Sequence, residues 1–241
     1  MIRVDRVGAA EIGIDPAPAA FSPDDTERIA RHWREVTRRH PEVFNGDILL
    51  VRDAAVAAGR LTATAVRTKY SVLTALIEGR LADAGLANIF GGAAIVSADG
   101  AVFLGRMGAH CYEPGVLKLV SGTPDFDDID HATNRLDIVG SIAREVSEET
   151  GLDVAEAVAA PQLTVVRDGL LVAVVQRLRF GLTADALQRR IDGYLRSLER
   201  SELAEVVAVA RSGDPALAEV PGYVRAAVAD VLGEGEGPRN G

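Results

Sequence analysis

The most constraining feature of this chain is a predicted helix that ends in Arg-Glu-Val-Ser-Glu-Glu-Thr-Gly-Leu at residues 144–152. Upstream, Ile138, Ile142 and Val146 recur at i, i+4 and i+8, which predicts one buried helical face. Gly151 stands where a left-handed residue commonly ends a helix. The segment therefore predicts a helix that packs against an apolar core on one side.

The same helix carries three carboxylates on its other side. Glu145, Glu148 and Glu149 are spaced three and four residues apart, so they are neighbours that repel one another by about 0.2–0.5 kcal/mol per pair. They also lie near the helix C-terminus, where the macrodipole disfavours anions. A hard divalent cation bound by carboxylate oxygens would offset this cost. Arg144 precedes Glu148 by four residues and is expected to pair with it.

Composition narrows the classes of function. The net charge of −9 argues against nonspecific binding to nucleic acid or anionic membranes. Cys111 is the only cysteine, so no intrachain disulfide can form and a reducing compartment is expected. The first residues lack the apolar region of a signal peptide, and no apolar run approaches the roughly 18 residues of a membrane span. We therefore expect a cytoplasmic protein without nucleic-acid or membrane partners.

Apolar periodicity and composition change near Phe90, which predicts two parts. Residues 1–86 are expected to form an N-terminal α+β module, with a helix from Ser22-Pro23 to about His40, strands at 47–51 and 61–66, and a helix at 70–81. Residues 87–236 are expected to form an α/β unit, with strands at 93–96, 101–104, 116–120, 170–180 and 205–210 and helices at 184–198 and 222–232 besides the acidic one. Residues 237–241 are expected to be a disordered tail.

Residues 144–152 match the second half of the Nudix hydrolase motif, Arg-Glu-apolar-x-Glu-Glu-x-Gly-apolar, at every fixed position. The chain therefore resembles this superfamily. The resemblance implies the Nudix fold, an α/β/α sandwich with a mixed sheet, here preceded by the N-terminal module. It also implies a pyrophosphatase that hydrolyses a nucleoside diphosphate linked to a group X, with Mg²⁺ as cofactor and Mn²⁺ as the alternative. A Nudix-fold protein that binds a nucleotide without turnover is the alternative class.

The first half of the motif departs from the family pattern. Leu136 stands where the family has a glutamate, and Gly122 lies 22 residues before Arg144. The loop between them is therefore about eight residues longer than in the usual motif. A carboxylate of this loop could replace the missing glutamate, the candidates being Asp125, Asp127, Asp128 and Asp130.

This departure is similar to a Nudix subgroup that cleaves UDP-glucose and UDP-galactose. The subgroup has a Gly-x-Pro-acid turn, as at residues 122–125 here, a lengthened insert, an apolar residue in place of the first glutamate, and an N-terminal module. The looser similarity extends to Trp33 and to residues 41–46, 68–70, 99–106, 115–124 and 136–152. It implies a UDP-sugar that is cleaved to UMP and a sugar 1-phosphate, with ADP-ribose or another nucleotide as the rival, and it leaves a homodimer open.

The family resemblance assigns roles residue by residue. The implied metal ligands are the backbone carbonyl of Ser121 and the carboxylates of Glu145, Glu148 and Glu149. Glu145 is the first candidate for the general base that activates water, and Glu202, in a later loop, is the second. Arg144 and Glu149 complete the implied catalytic group.

The candidates for substrate binding are Gly122, where backbone can approach a metal or phosphate, and the cations Arg106 and Lys118. For Lys118 and Glu202, an ordinary surface charge explains the residue at least as well. Tyr112 or Tyr70 could stack on a base, although plain packing is the more common role of a tyrosine.

Overall fold

The structure, a computed structural model, describes residues 1–81 and 85–233. Within these ranges the helices are α1 (Pro23–Arg39), α2 (Tyr70–Ile77), α3 (Ile138–Thr150), α4 (Ala184–Leu195) and α5 (Gly222–Val231). The strands are β1 (Arg3–Val7), β2 (Ala9–Ile14), β3 (Asp47–Ala57), β4 (Arg60–Lys69), β5 (Asn88–Val96), β6 (Val102–Met107), β7 (Leu117–Lys118), β8 (Val120–Gly122), β9 (Ile129–Asp130), β10 (Arg135–Leu136), β11 (Ala157–Asp168), β12 (Leu171–Phe180) and β13 (Leu203–Val209). The predicted tail at 237–241 lies outside the described residues.

The main sheet is mixed and lies between helices. Its strand order is β1-β11-β12-β5-β6-β13, with β7 paired to β6 and β8 paired to β5. Strands β12 and β5 run parallel, and the other pairs are antiparallel. Helices α3 and α4 pack on one face through Ile142, Val146 and Leu187, and α5 packs on the other face through Val224 and its neighbours. The predicted α/β class with a mixed sheet between helices is confirmed.

A second sheet has the order β3-β4-β2-β10-β9. One face packs against the main sheet through an apolar layer that includes Ile12, Leu49 and Leu136, and the other face is covered by α1 and α2. Strand β1 lies in the main sheet, whereas β9 and β10 lie in the second sheet. Strands therefore cross between the sheets on both sides of residue 86, and the domain boundary there stays a prediction.

The acidic helix α3 forms for the reasons that its sequence indicates. The Asp137 side chain caps it by accepting from the Gly140 N–H at 2.9 Å, and Gly151 ends it with a φ of +66°. The predicted stripe is buried, Ile142 with 1% of its surface exposed. A Cβ at Gly91 in β5 would lie 2.6 Å from Ile142 Cγ1, so a glycine there lets the helix pack directly on the sheet.

Several predicted elements have different bounds in the structure. The strand predicted at 47–51 continues as β3 to Ala57, and the turn lies at Ala58 and Gly59, which both have positive φ. Helix α2 ends at Ile77 because Gly79 adopts a left-handed φ of +64°. Helix α4 ends at Leu195, and the strands β1, β2 and β11 were not predicted. Within the described ranges, no helix is long and apolar enough to cross a membrane.

Candidate active site

Strand β8 places backbone directly against the acidic face of α3. A Cβ built on Gly122 would lie 2.2 Å from Cδ of Glu145, so a side chain at this position would occupy the space of the carboxylate. Gly122 is held there by pairing with Gly91 in β5. The absence of a side chain at Gly122 therefore leaves room for the Glu145 carboxylate. The Glu145 side chain is 14% exposed.

Glu149 is the most deeply buried of the three glutamates, with 7% of its surface exposed. Burial, together with the charges of Glu145 and Glu202, raises its pKa to about 8, although a hydrogen bond from the Ser121 backbone N–H acts in the opposite direction. Its Oε2 atom is buried and has no hydrogen-bond partner within residues 1–81 and 85–233. Such an atom is costly without a ligand, because burying an unpaired carboxylate oxygen forfeits its solvation.

Burial also raises the pKa of Glu145 to about 7, because it outweighs the attraction of Arg144, and the nearby charges of Glu148 and Glu202 act in the same direction as burial. Two carboxylates with raised pKa values on successive turns are typical of a catalytic or metal-binding site rather than of a solvated helix face. Glu145, Glu149 and β8 are therefore brought together as the sequence predicts.

Glu148 is placed differently from the other two glutamates. Its side chain is 60% exposed, and its Oε2 lies 3.2 Å from Nη1 of Arg144, so the predicted i, i+4 ion pair is present. Across residues 1–81 and 85–233, no three acidic, histidine or cysteine side chains converge as a complete metal-ligand group. Glu148 would have to leave Arg144 to join Glu145 and Glu149 at one cation.

Arg144 holds the acidic cluster together. Its Nη2 lies 3.0 Å from Oδ2 of Asp128, and its Nη1 lies 2.9 Å from Oε1 of Glu145. Partial burial lowers the pKa of Arg144, but the hydrogen bond to Asp128 and the surrounding carboxylates outweigh it and raise the pKa. Asp128 is also fixed by the Ser141 hydroxyl, which donates to Oδ2 at 3.1 Å. Arg144 thus orients Glu145 and is itself oriented from the loop.

Asp128 is therefore the loop carboxylate that reaches the motif arginine. Asp125 instead accepts from the Asp127 N–H at 2.8 Å, and Asp130 accepts from Thr133 Oγ1 at 2.7 Å, so these carboxylates stabilise the turns of the loop. Leu136, in β10, is 4% exposed and packs in the layer between the two sheets. A glutamate at residue 136 would be buried among apolar side chains, which disfavours a carboxylate at this position.

Of the remaining predicted residues, Glu202 acts on this cluster, whereas Arg106 is paired elsewhere. Glu202 is close enough for its charge to raise the pKa of both Glu145 and Glu149, and its backbone carbonyl accepts from the Gly108 N–H at 2.7 Å. Arg106 is paired with Glu205 at 2.6 Å and donates to the Gly115 carbonyl at 3.1 Å, so its charge is already engaged.

A cavity of about 410 Å³ adjoins the site. It borders Ser121 and Gly122 and is otherwise lined largely by apolar and aromatic side chains, among them Phe90, Met107, Tyr112 and Tyr223. Lys118 also lines it and is paired with Glu113. Sequence reasoning missed Phe90 and Asn88 because the predicted strand began at residue 93. Their alternation on β5, which puts both on one face, is the signal that could have found them.

Comparisons with known proteins give similarity only at the level of structure. No family model matches the chain, and no curated protein matches it. Similar solved structures include the Nudix hydrolase RenU from M. smegmatis, at 14% identity, a TM-score of 0.37, and coverage of 59% of this chain and 81% of that one. They also include the MutT protein from Methanosarcina mazei Go1, at 18% identity, a TM-score of 0.40, and coverage of 63% and 96%.

A third similar structure is DR0079 from Deinococcus radiodurans, at 11% identity and a TM-score of 0.47, which covers 77% of this chain and 99% of that one. Because these identities and TM-scores are low, the function of the present chain has to be inferred from the residues of its own site.

Proposed function

We propose that the chain is a pyrophosphatase of the Nudix type, which uses a divalent cation to hydrolyse a nucleoside diphosphate linked to a group X. The observation that carries the proposal is the buried Glu149 carboxylate. Its Oε2 has no hydrogen-bond partner in the part of the chain that the structure describes. It lies near a second carboxylate, Glu145, that packs against the backbone of Gly122. A cation would satisfy this oxygen and remove the repulsion between the two glutamates.

The residues present fit such a cation. Glu145 and Glu149 offer hard oxygen ligands from adjacent turns of α3, and the Ser121 backbone lies beside Glu149. Glu148 would join them after its side chain turned away from Arg144. Mg²⁺ is the expected ion and Mn²⁺ the alternative, since both prefer oxygen ligands. When bound, the ion would supply positive charge to the diphosphate and acidify the attacking water.

The side chains of the chain supply the rest of the proposed reaction. Glu145 is the first choice for the base that takes a proton from water, because a pKa near 7 suits a base that works at neutral pH. Glu202 is the second choice, since its charge acts on both Glu145 and Glu149. Arg144 orients Glu145, and Lys118, at the edge of the cavity, would exchange Glu113 for a phosphate oxygen.

The proposed substrate is a UDP-sugar, split into UMP and a sugar 1-phosphate. The long loop between Gly122 and Arg144, which ends in the buried Leu136 and supplies Asp128, supports it through the resemblance to the UDP-sugar subgroup. The protein has a net charge of −9, so it repels an anionic nucleotide. A cation bound at the acidic cluster would offset this repulsion. We further propose that the protein acts in the cytoplasm.

The test is turnover on a substrate panel. Protein in Mg²⁺ would be incubated with UDP-glucose, UDP-galactose, ADP-ribose, dinucleoside polyphosphates and nucleoside triphosphates, and phosphate would be measured after coupling to a phosphatase. We expect hydrolysis of the UDP-sugars, and its loss in EDTA and in Glu149→Gln. Hydrolysis of ADP-ribose alone would contradict the UDP-sugar assignment. Binding of nucleotides without any turnover would replace the enzyme with a noncatalytic nucleotide-binding protein.

A further inference from the structure

Asn88, at the start of β5, is a buried polar residue whose side-chain oxygen is unpaired within the described residues. The residue is 8% exposed, and its Oδ1 has no hydrogen-bond partner among the described residues. Its backbone N–H donates to the Leu170 carbonyl at 2.8 Å, and the residue is in register with Leu171 of β12. The carboxamide is therefore held at a fixed position with unused hydrogen-bonding capacity, which costs free energy unless a ligand uses it.

The surroundings of Asn88 form a concave, mostly apolar site. The side chain lines the cavity of about 410 Å³ described above, together with Phe90, Met107, Leu171 and Tyr223. The Phe90 and Tyr223 rings meet edge to face, with centroids 5.2 Å apart. Apolar walls with one polar group on a rigid strand are typical of sites that bind a flat heteroaromatic ring.

The cavity adjoins the acidic site at strand β8. Ser121 and Gly122 belong to both, because they line the cavity and their backbone contacts the carboxylates of α3. Lys118 from the cavity wall and Glu149 from the helix are also close enough to Cys111 for both charges to act on it. A diphosphate bound at the acidic helix would therefore have one of its two substituents beside this cavity.

The chemistry of the lining decides between the two substituents. A hexose carries several hydroxyl groups, each of which needs a partner when it is buried. The lining that would surround it is largely apolar, with Asn88, Lys118, Glu113, Ser121 and Thr123 as polar exceptions. Of these, Lys118 and Glu113 are paired with each other. A nucleobase instead offers two flat apolar faces and one edge on which a donor and an acceptor are adjacent, which a carboxamide can match.

We infer that this cavity binds the nucleobase of the substrate, with the ring against Phe90 and Tyr223 and the donor–acceptor edge hydrogen-bonded to the Asn88 carboxamide. The inference rests on the proposed function, since it assumes a nucleotide substrate. It assigns to Asn88 the selection of the base, and it assigns the sugar or other group X to the open side of the site.

The test uses binding of nucleosides to the full-length protein, without a metal ion. Nucleosides carry no phosphate, so their binding does not depend on the acidic helix. Calorimetric titration with uridine, cytidine, adenosine and guanosine would identify the preferred base. We expect Asn88→Leu, which keeps the side-chain volume but not the hydrogen bonds, to weaken binding of the preferred nucleoside by at least about tenfold. Phe90→Leu should weaken it by a smaller factor, since the ring contact is lost.

A methylated ligand separates base reading from a general effect of the substitution. The native protein should discriminate against the preferred base methylated at the N–H of its pairing edge, 3-methyluridine in the case of uridine. Asn88→Leu should bind both forms with similar, weak affinity. The matched control is Gln162→Leu, which removes an exposed side-chain amide from β11. This variant should bind the nucleoside as the native protein does.

Native-like nucleoside binding by Asn88→Leu, or binding of glucose 1-phosphate in competition with the nucleoside, would overturn the inference. So would the absence of any nucleoside binding by the native protein. These results are independent of turnover. If the native protein hydrolyses UDP-sugars and Asn88→Leu binds nucleosides normally, the base site alone is contradicted. If the native protein binds one nucleoside selectively but hydrolyses no substrate, only the proposed enzymatic activity is contradicted.

Discussion

Nη2 of Arg144 lies 3.0 Å from Oδ2 of Asp128, a carboxylate whose side chain is 5% exposed and which comes from the long loop before α3. The same guanidinium contacts Glu145 at 2.9 Å through Nη1. Arg144 therefore forms ion pairs with both the loop and the proposed base, Glu145. The loop thus contributes a carboxylate to the cluster.

Asp128→Asn should lower both stability and activity. The amide keeps the shape but removes the charge beside Arg144, which should cost about 1–3 kcal/mol because the arginine is partly exposed and can regain some solvation. We expect kcat to fall, since Glu145 loses its orientation, while KM changes little. Urea unfolding and steady-state kinetics would measure the two effects. Asp127→Asn, in an exposed neighbour on the same loop, is the control and should behave as the native protein.

Glu149 should make the metal-free protein less stable as the pH rises. Its pKa is raised from 4.5 to about 8, so the folded protein keeps a proton that the unfolded chain releases in this window. The free energy of unfolding should therefore fall between about pH 4.5 and 8, by about 1.4 kcal/mol per pKa unit as an upper limit. Glu149→Gln should flatten this dependence and stabilise the metal-free protein on the order of a few kcal/mol at alkaline pH.

Urea unfolding in EDTA across this pH range measures the effect. Glu148→Gln, in an exposed glutamate of the same helix, should alter the pH dependence much less. Addition of Mg²⁺ should stabilise the native protein and have little effect on Glu149→Gln. Identical pH profiles for the native protein and Glu149→Gln would show that this carboxylate is not protonated in the folded state.

Gly122→Ala should abolish most activity without unfolding the protein. The new methyl group would lie 2.2 Å from Cδ of Glu145, and the flexible carboxylate can move away where the β8 backbone cannot. We expect kcat to fall by about 10² or more, with a far-ultraviolet circular dichroism spectrum like that of the native protein. Gly92→Ala is the matched control on the paired strand, because its methyl group would make only ordinary contacts at 3.6 Å. Equal activity in the two variants would contradict the proposed role of Gly122.

Replacement of the two candidate bases should separate their roles. Glu145→Gln should lower kcat by about 10²–10⁴, since a positioned general base is lost. Because the base has to be ionised, the activity of the native enzyme should fall as the pH drops below its pKa, which is about 7 without metal and lower when a cation is bound. Glu202→Gln should retain this acidic limb and most of kcat. A larger loss in Glu202→Gln than in Glu145→Gln would exchange the two roles.

Local signals in the sequence were sufficient for the elements that position the site. Ser22 caps α1 by accepting from the Asp25 N–H, as the Ser-Pro-acid sequence predicts, and α1 ends at Arg39 before Pro41. Asp99 and Gly100 lie in the turn between β5 and β6, where turn residues between the apolar runs at 93–96 and 101–104 predict a hairpin. In each case a cap or turn residue and an apolar period indicate the same structure.

The unpredicted strands lack these agreeing signals. Strand β1 has only five residues, in which charged and apolar residues do not alternate regularly, and it lies at the edge of the sheet. Its strand conformation therefore depends on pairing with β11. Strand β11 contains Pro161, and its register with β12 shifts between Ala159 and Leu163. In the sequence, a proline at this position predicts the end of a strand rather than its continuation. Contacts distant in sequence decide both elements.

The same limit applies to the site. The spacing of Glu145, Glu148 and Glu149 predicted a shared helical face, but it did not predict that Glu148 turns outward to Arg144. Four loop aspartates were equivalent in sequence, and the packing of the loop on Ser141 and Arg144 selects Asp128. Side-chain direction and loop conformation depend on tertiary contacts, which a periodic pattern does not contain.

The pairing of Arg3 with Arg167 has a consequence for how the chain acquires its structure during synthesis. The edge of the main sheet cannot close until β11 has left the ribosome, and the second sheet likewise waits for β9 and β10. Early segments must therefore remain without their final partners while most of the polypeptide is translated, and loop closure over such distances slows folding. The native state should form late and cooperatively, so that a chain shortened before β11 would expose unpaired strand edges and depend on chaperones to remain soluble.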